Sequence, residues 1–288
     1  MTNAAEGANP QVAALGRMLA HPVGLFLSFL FMAPIAWSVL SSVKPPPEAR
    51  QPPLPPWPTT GISLENYTAL DSFGAGLWHA TQNSLYVAGS SVVLTALISL
   101  LAGYGFSRFK FPLKNVFFIM ILSTIMIPFQ SILTPIFLLL ATFRMQNTLT
   151  GLVLVYVTLQ LPFSIFMMRN AFDAVPREID EAARIDGAGT LALLRRVMLP
   201  LIWPGLVTVA LFAFLNTWNE FIAALVLMTD QDKFTLPIMM TAVQSGRFGA
   251  INWGAVQAGV TVMMIPCLIL FLLLQRFYIR GLTAGAVK

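Results

Sequence analysis

Six apolar runs, at roughly 22–43, 80–106, 115–141, 149–170, 201–228 and 256–277, leave this 288-residue chain few ways to fold. Each is close to or longer than the ~20 residues an α-helix needs to cross the hydrocarbon of a bilayer. A backbone in lipid finds no water to bond, so runs of this length satisfy their own N–H and C=O groups as helices. A soluble fold would need a charged skin around so much apolar sequence. Only 10% of the residues are charged, whereas soluble domains carry about 25%. The reading is an all-α membrane protein with six transmembrane helices. The first run is too long for a signal-peptide core, follows a polar approach with one Arg, and lacks an A-x-A-like cleavage site, so a retained helix is expected.

Basic residues orient the spans. Arg17, then Arg108, Lys110 and Lys114, then Arg169, Arg177, Arg184, Arg195 and Arg196, and finally Arg276, Arg280 and Lys288 fall on one side of the six-span arrangement. Only Lys44, Arg50, Arg144, Lys233 and Arg247 fall on the other. The richer side is expected to be cytoplasmic, which puts both termini inside a multi-pass protein. The net charge of +5 is then an orientation signal, and no basic run with interleaved aromatics supports nucleic-acid binding.

The connector between spans four and five carries the strongest local pattern. Pro176 suits a first helical turn, where its missing N–H costs nothing. Glu178, Asp180 and Glu181 lie near the N-terminal end of the helix dipole. Gly187 stands about three turns on, where a left-handed C-cap favours a residue without Cβ. A short helix over 177–186 is therefore expected, with a second over about 190–196 before Pro200 opens span five. Ala182 and Ala183 keep one face thin enough for another protein to approach.

On the opposite side, residues 44–58 hold eight prolines and should be extended, with Leu64-Glu65-Asn66-Tyr67 starting a short surface helix. Segment 229–255, with the apolar run Leu236 to Met240, is expected to fold over the membrane mouth or to reach into a partner.

Polar residues inside spans are costly in lipid, so Gln130, Gln160, Asn216, Asn219, Glu220 and Gln257 are candidates for a polar path. Asn216, Asn219 and Glu220 fall at i, i+3 and i+4, one face of a fifth helix. Trp218, Phe214 and Tyr156 are aromatic neighbours able to stack on the apolar face of a ligand. The alternative for each is a bond to a helix backbone or to another subunit. Pro128, Pro135 and Pro162 should kink spans three and four.

Glu181-Ala182-Ala183, three residues, Gly187, nine residues, Val197, Met198 and Leu199-Pro200 together resemble the cytoplasmic coupling loop of ABC-importer permeases. Thr217-Trp218-Asn219-Glu220-Phe221 is similar to the W-N-E-F element of the carbohydrate-uptake branch, represented by the second permease subunit of maltose transporters. Gln275-Arg276-Phe277 with the ending Gly281-Leu282-Thr283-Ala284-Gly285-Ala286-Val287-Lys288, and Leu64 to Tyr67, resemble further elements of that branch. Departures are small: Val197 stands where Ile is usual, and a Gly often follows the position of Lys288.

This resemblance implies a short cytoplasmic coupling helix between spans four and five. It also implies a permease domain over 80–280, preceded by 1–79 and followed by a cytoplasmic tail at 281–288. It implies ATPase coupling through Glu181, Ala182, Ala183, Asp186, Gly187, Leu199 and Pro200. Glu181 would pair with a basic residue of the ATPase, Gly187 would permit close docking, and tail residues Thr283, Gly285 and Lys288 would contact the ATPase subunits. Expected partners are a homologous second permease, two ATPase subunits, an extracytoplasmic solute-binding protein, the bilayer and a carbohydrate. The expected location is a bacterial or archaeal cytoplasmic membrane.

The chain itself should be non-catalytic and bind no cofactor, with ATP and Mg at the partner ATPases. It has no G-x-x-x-x-G-K-[ST] loop to cradle phosphates. His21, His79 and Cys267 are isolated, too sparse for a metal or nucleophilic site. A permease for a non-sugar solute is the alternative. A secondary transporter fits less well, since Glu220 is the one intramembrane charge available for ion coupling.

Overall fold

A computed structural model describes residues 10–49, 55–246 and 251–284, with side chains described for 21–49, 55–246 and 251–274. The described residues are helical and contain no strand. In chain order the helices are α1 (Pro10–Ser42), α2 (Glu65–Leu70), α3 (Leu77–Arg108), α4 (Lys114–Ser123), α5 (Phe129–Thr142) and α6 (Leu149–Asp173). They continue with α7 (Arg177–Ile185), α8 (Thr190–Ala192), α9 (Leu199–Trp218), α10 (Ile222–Leu227), α11 (Leu236–Gln244) and α12 (Trp253–Ala284). By length and composition five helices among the described residues can cross a membrane, or six if the bent pair α4 and α5 counts as one span.

That pair turns the kink expected in the third span into a full break at Pro128. The two halves meet at 104°. Pro128 clashes with a helical residue before it, so Ile127 is extended at φ −80° and ψ 120°. A single 3₁₀ turn, Thr124–Met126, ends the first half. Pro135 and Pro162, in contrast, lie inside α5 and α6.

The fifth span also differs from its expected limits. Its helix is continuous from Thr190, so the short helix expected over about 190–196 runs on from α8 into α9 without a break. Residues Leu193–Met198 widen into a π-helix in which the Leu199 N–H bonds Leu194 O, five residues back. Pro200 cannot donate to a carbonyl four residues behind it, and a widened turn accommodates that loss. At the other end the helix stops at Trp218, well short of 228.

The chain divides into two compact units. The first comprises Met1–Leu70 and Gly249–Val262. Within it the Leu64–Tyr67 element closes the end of α1. Asn66 Nδ2 donates to Ser42 O at 2.8 Å and to Lys44 O at 2.7 Å, satisfying carbonyls that a helix end leaves without partners. The Ser42 and Tyr67 hydroxyls are bonded at 2.7 Å.

The second unit comprises Asp71–Phe248 and Met263–Lys288. Its centre is α3 packed on α6 and α9. One core cluster gathers Leu152, Val155, Tyr156, Ala223, Leu227 and Ile238; another gathers Tyr104, Met168, Phe172, Leu193, Met198 and Val209. Gly103 marks the closest approach of α3 to α6, because a Cβ there would lie 2.6 Å from Met168 Cβ and 2.9 Å from the Arg169 nitrogen.

Candidate functional site

Two groups of residues in the second unit carry functional potential: the connector from α6 to α9, and the polar positions of α6, α9 and α10.

The connector begins where α6 ends at Asp173. Pro176 is the N-cap of α7, and Glu178 and Asp180 fall in its first turn. At its end Gly187 is left-handed at φ 83°. Its N–H bonds Arg184 O, and the Ala188 N–H bonds Ala183 O, both at 3.0 Å. These are the two hydrogen bonds of a Schellman cap, and the left-handed residue it requires is glycine here for want of a Cβ penalty. Ala183 and Ala188 close the cap against the core cluster around Met168 and Leu193.

Glu181, Ala182, Asp186, Gly187 and Pro200 are exposed, and Ala183 and Leu199 are half-buried. Beside them two apolar residues stand out of the protein altogether: Ile185 is 86% exposed and Leu191 76%. Asp180 does something that dipole arguments alone miss. It turns inward and pairs with Arg108 of α3, Nε to Oδ2 at 2.6 Å, with side chains only 4% and 11% exposed.

The polar span residues separate into bonded and open ones. Glu220 does not share a helix face with Asn216, because α9 has ended before it. Its carboxylate accepts the Ala223 N–H at 2.9 Å and the Ala224 N–H at 3.3 Å, capping α10. It also accepts the Tyr156 hydroxyl at 2.5 Å. Asn219 caps α9 and donates to Leu215 O at 2.8 Å. Both side chains therefore serve the break between α9 and α10. Trp218 is likewise no free stacking surface: it is buried, donates from Nε1 to Met263 O at 3.0 Å, and stacks on Phe214 with centroids 5.5 Å apart.

Gln160 and Asn216 are brought together. They line a cleft of about 100 Å³ between α6 and α9 with Leu159, Phe163, Ser164, Phe212 and Ala213. Gln160 donates to Thr217 Oγ1 at 2.8 Å, while its own carbonyl oxygen has no partner. Asn216 is exposed into the cleft, and Phe163 and Phe212 meet edge-to-face at 5.6 Å. Planar amides beside aromatic rings match a ligand with hydroxyl edges and an apolar face.

Gln130 lies apart from this cleft, exposed on the first turn of α5 just past the break. Thr283 lies in α12, its side chain outside those described, while Gly285 and Lys288 lie outside the described residues. Among the described residues no group of three or more His, Cys, Asp or Glu is placed to hold a metal ion.

Comparison with known proteins gives a consistent set of likenesses. The family model for binding-protein-dependent transport system inner membrane components matches residues 95–283. The diacetylchitobiose uptake system permease protein DasC of Streptomyces coelicolor is 35% identical, over 92% of this chain and 94% of its own length. The trehalose/maltose transport system permease protein MalG of Thermococcus litoralis is 33% identical, over 95% and 98% respectively. Among solved structures, a chain of a bacterial ABC transporter that imports the acidic polysaccharide alginate superposes with a TM-score of 0.78. It shares 21% identity, over 94% of this chain and 99% of that one, a likeness of fold.

Proposed function

This chain belongs to the family of binding-protein-dependent transport system inner membrane components, and from that premise we propose that it is the permease subunit of an ATP-driven sugar importer. Its solute is a sugar or oligosaccharide, as the names of its relatives indicate for them. The chain pairs with a homologous second permease in the cytoplasmic membrane, with both termini inside. A solute-binding protein delivers sugar to the outer face. Two ATPase subunits bind and hydrolyse ATP with Mg, and this chain has no part in the hydrolysis.

The observation that carries the reading is the exposed surface at the end of α7 and on α8. Ile185 and Leu191 would be costly in water on a connector whose other exposed residues are charged or small. A partner surface covering them removes that cost. Glu181 and Asp186 flank the patch with charge for pairing, and Gly187 and Ala182 let the partner backbone approach. Closure of the ATPase pair on ATP presses on this patch and rocks the spans between inward-facing and outward-facing states. Near the C-terminus, Thr283, Gly285 and Lys288 add a second contact to the ATPases.

For the solute path we assign the α6–α9 cleft, with Gln160 and Asn216 as hydrogen-bonding groups and Gln130 further along the route. An Asn amide turned toward lipid would be costly, so Asn216 faces a watery path or the second permease.

The experiment is sugar uptake into proteoliposomes containing the chain with its co-purifying subunits, with ATP inside and the binding protein plus a panel of labelled sugars outside. Accumulation of one sugar only when ATP is present is the expected result. ATP-driven accumulation of a non-sugar solute alone would replace the substrate assignment. Flux without ATP would overturn the importer reading.

A further inference from the structure

Arg108 is the last residue of α3, and its guanidinium reaches two places on the connector. Nε lies 2.6 Å from Asp180 Oδ2 in α7, and Nη2 donates to Val175 O at 2.8 Å in the turn before α7. The preceding residue, Ser107, donates from Oγ to Asp173 Oδ1 at 2.6 Å, at the end of α6. Two consecutive residues of α3 thus hold the chain on both sides of Pro176. One turn back, α3 and α6 touch so closely at Gly103 that no side chain fits between them. The remaining charges of α7, on Arg177, Glu178, Glu181 and Arg184, are exposed.

From this geometry we propose that Arg108 is a positioning residue for transport: its buried ion pair with Asp180 makes α7 move as one body with α3 and α6. A charge removed from water has a strong requirement for its partner, and separating the two would leave both uncompensated in a low-dielectric setting. Swinging α7 away from α3 is therefore the costly motion. Displacing α7, α3 and α6 together leaves the pair intact. A push on the exposed end of α7 is delivered to two membrane-crossing helices without slack. The proposal rests on the reading of α7 as the ATPase-docking element and adds how that element grips the spans.

The test uses the reconstituted complex with its binding protein, measuring sugar transported and ATP hydrolysed in the same vesicles. Asp180→Asn and Arg108→Gln should each lower sugar transported per ATP by about tenfold, within the range typical of coupling between sites, while hydrolysis stays within about twofold. The double variant should be no worse than the poorer single, since both break one link. Arg108→Lys, which keeps the charge, should recover part of the ratio. If either single variant fails to assemble, the neutral double, which strands no charge, is read alone. A wild-type ratio in an assembled neutral variant would overturn the proposal. Ile185→Glu, on the exposed face and clear of Arg108, separates the two levels. If it keeps a wild-type ratio, the docking reading falls and this proposal with it. If it uncouples while the Asp180 and Arg108 variants do not, the ion-pair proposal alone falls.

Discussion

Between α6 and α9 the chain leaves Ile185 and Leu191 standing in the open, whereas between α9 and α12 it buries Leu236, Ile238, Met239 and Met240 almost completely. Both connectors are built of short helices joined by turns. The second is pinned from α3, where His79 Nε2 donates to Asp232 O at 2.6 Å and Asn83 Nδ2 to the carbonyls of Asp232 and Phe234 at 2.8 and 3.0 Å. Ser84 Oγ accepts the Leu236 N–H at 2.7 Å, and Glu220 caps α10. The first is also anchored, through Arg108 and Asp180, but only on its inward face. One connector completes the core of its own unit. The other leaves apolar side chains exposed on its outer face. Of the segment expected to fold over the membrane mouth or reach into a partner, the run Leu236 to Met240 is buried, and Ile238 joins the core cluster around Val155 and Ala224.

The sharpest way to break this contrast is to place the same charge in both connectors. Ile238→Asp buries an unpaired carboxylate and should cost about 4 kcal/mol, enough to lower the recovery and melting temperature of the purified complex. Leu191→Asp should leave melting within the scatter of surface substitutions, about 0.5 kcal/mol, while lowering sugar uptake per ATP. Equal melting losses from the two changes would erase the distinction.

A smaller effect should follow at the α9–α10 break. Glu220→Ala removes the acceptor for two backbone N–H groups and for Tyr156, with an expected loss of about 1–3 kcal/mol in thermal unfolding. Glu220→Gln retains a carbonyl acceptor and should lose less. If both variants melt like the parent, Glu220 is not the cap of α10.

The smallest expected effect is a pH dependence in the first unit. Hydrogen bonds from Thr60, then the Thr59 N–H, hold the Glu48 carboxyl down to about 2. Its folded value lies below the unfolded one near 4.3. The contribution to order is therefore complete above the unfolded value and is lost as pH falls toward about 2. Amide protection at Thr59 and Thr60, corrected for intrinsic exchange, should fade across that window, and Glu48→Gln should remove the dependence. A flat profile in the parent chain would show that the carboxylate does not hold this turn.

Much of the α7 region was legible because its signals are local. Pro176, three turns of helix-forming residues and Gly187 specify a start, a length and a left-handed stop, and the helix runs over Arg177–Ile185 against an expected 177–186. Five of the six expected spans were legible for the same reason, and the sixth is the bent pair α4 and α5 if that pair counts as one span. The departures depend on distant partners. Residues 201–228 form one apolar run, and at the break inside it Glu220 caps α10 and accepts the hydroxyl of Tyr156, 64 positions away. Arg108 reads in sequence as an orientation marker beside Lys110. Its pairing with Asp180 depends on α3 and α6 lying side by side, which no local pattern encodes. The break at Pro128 falls between these cases: the proline announces a bend, but nothing local in the sequence specifies the 104° angle.

The measurement that reaches the central claim most directly is the ratio of sugar accumulated to ATP hydrolysed by the reconstituted complex carrying Gly187→Asp. At φ 83° an aspartate is strained, and it adds charge at an exposed position. The account predicts that hydrolysis persists while uptake per ATP falls by about tenfold or more, a fall in keeping with lost coupling between sites. Uptake per ATP equal to that of the parent complex would contradict it, leaving the α6–α9 connector as a linker without a part in driving transport.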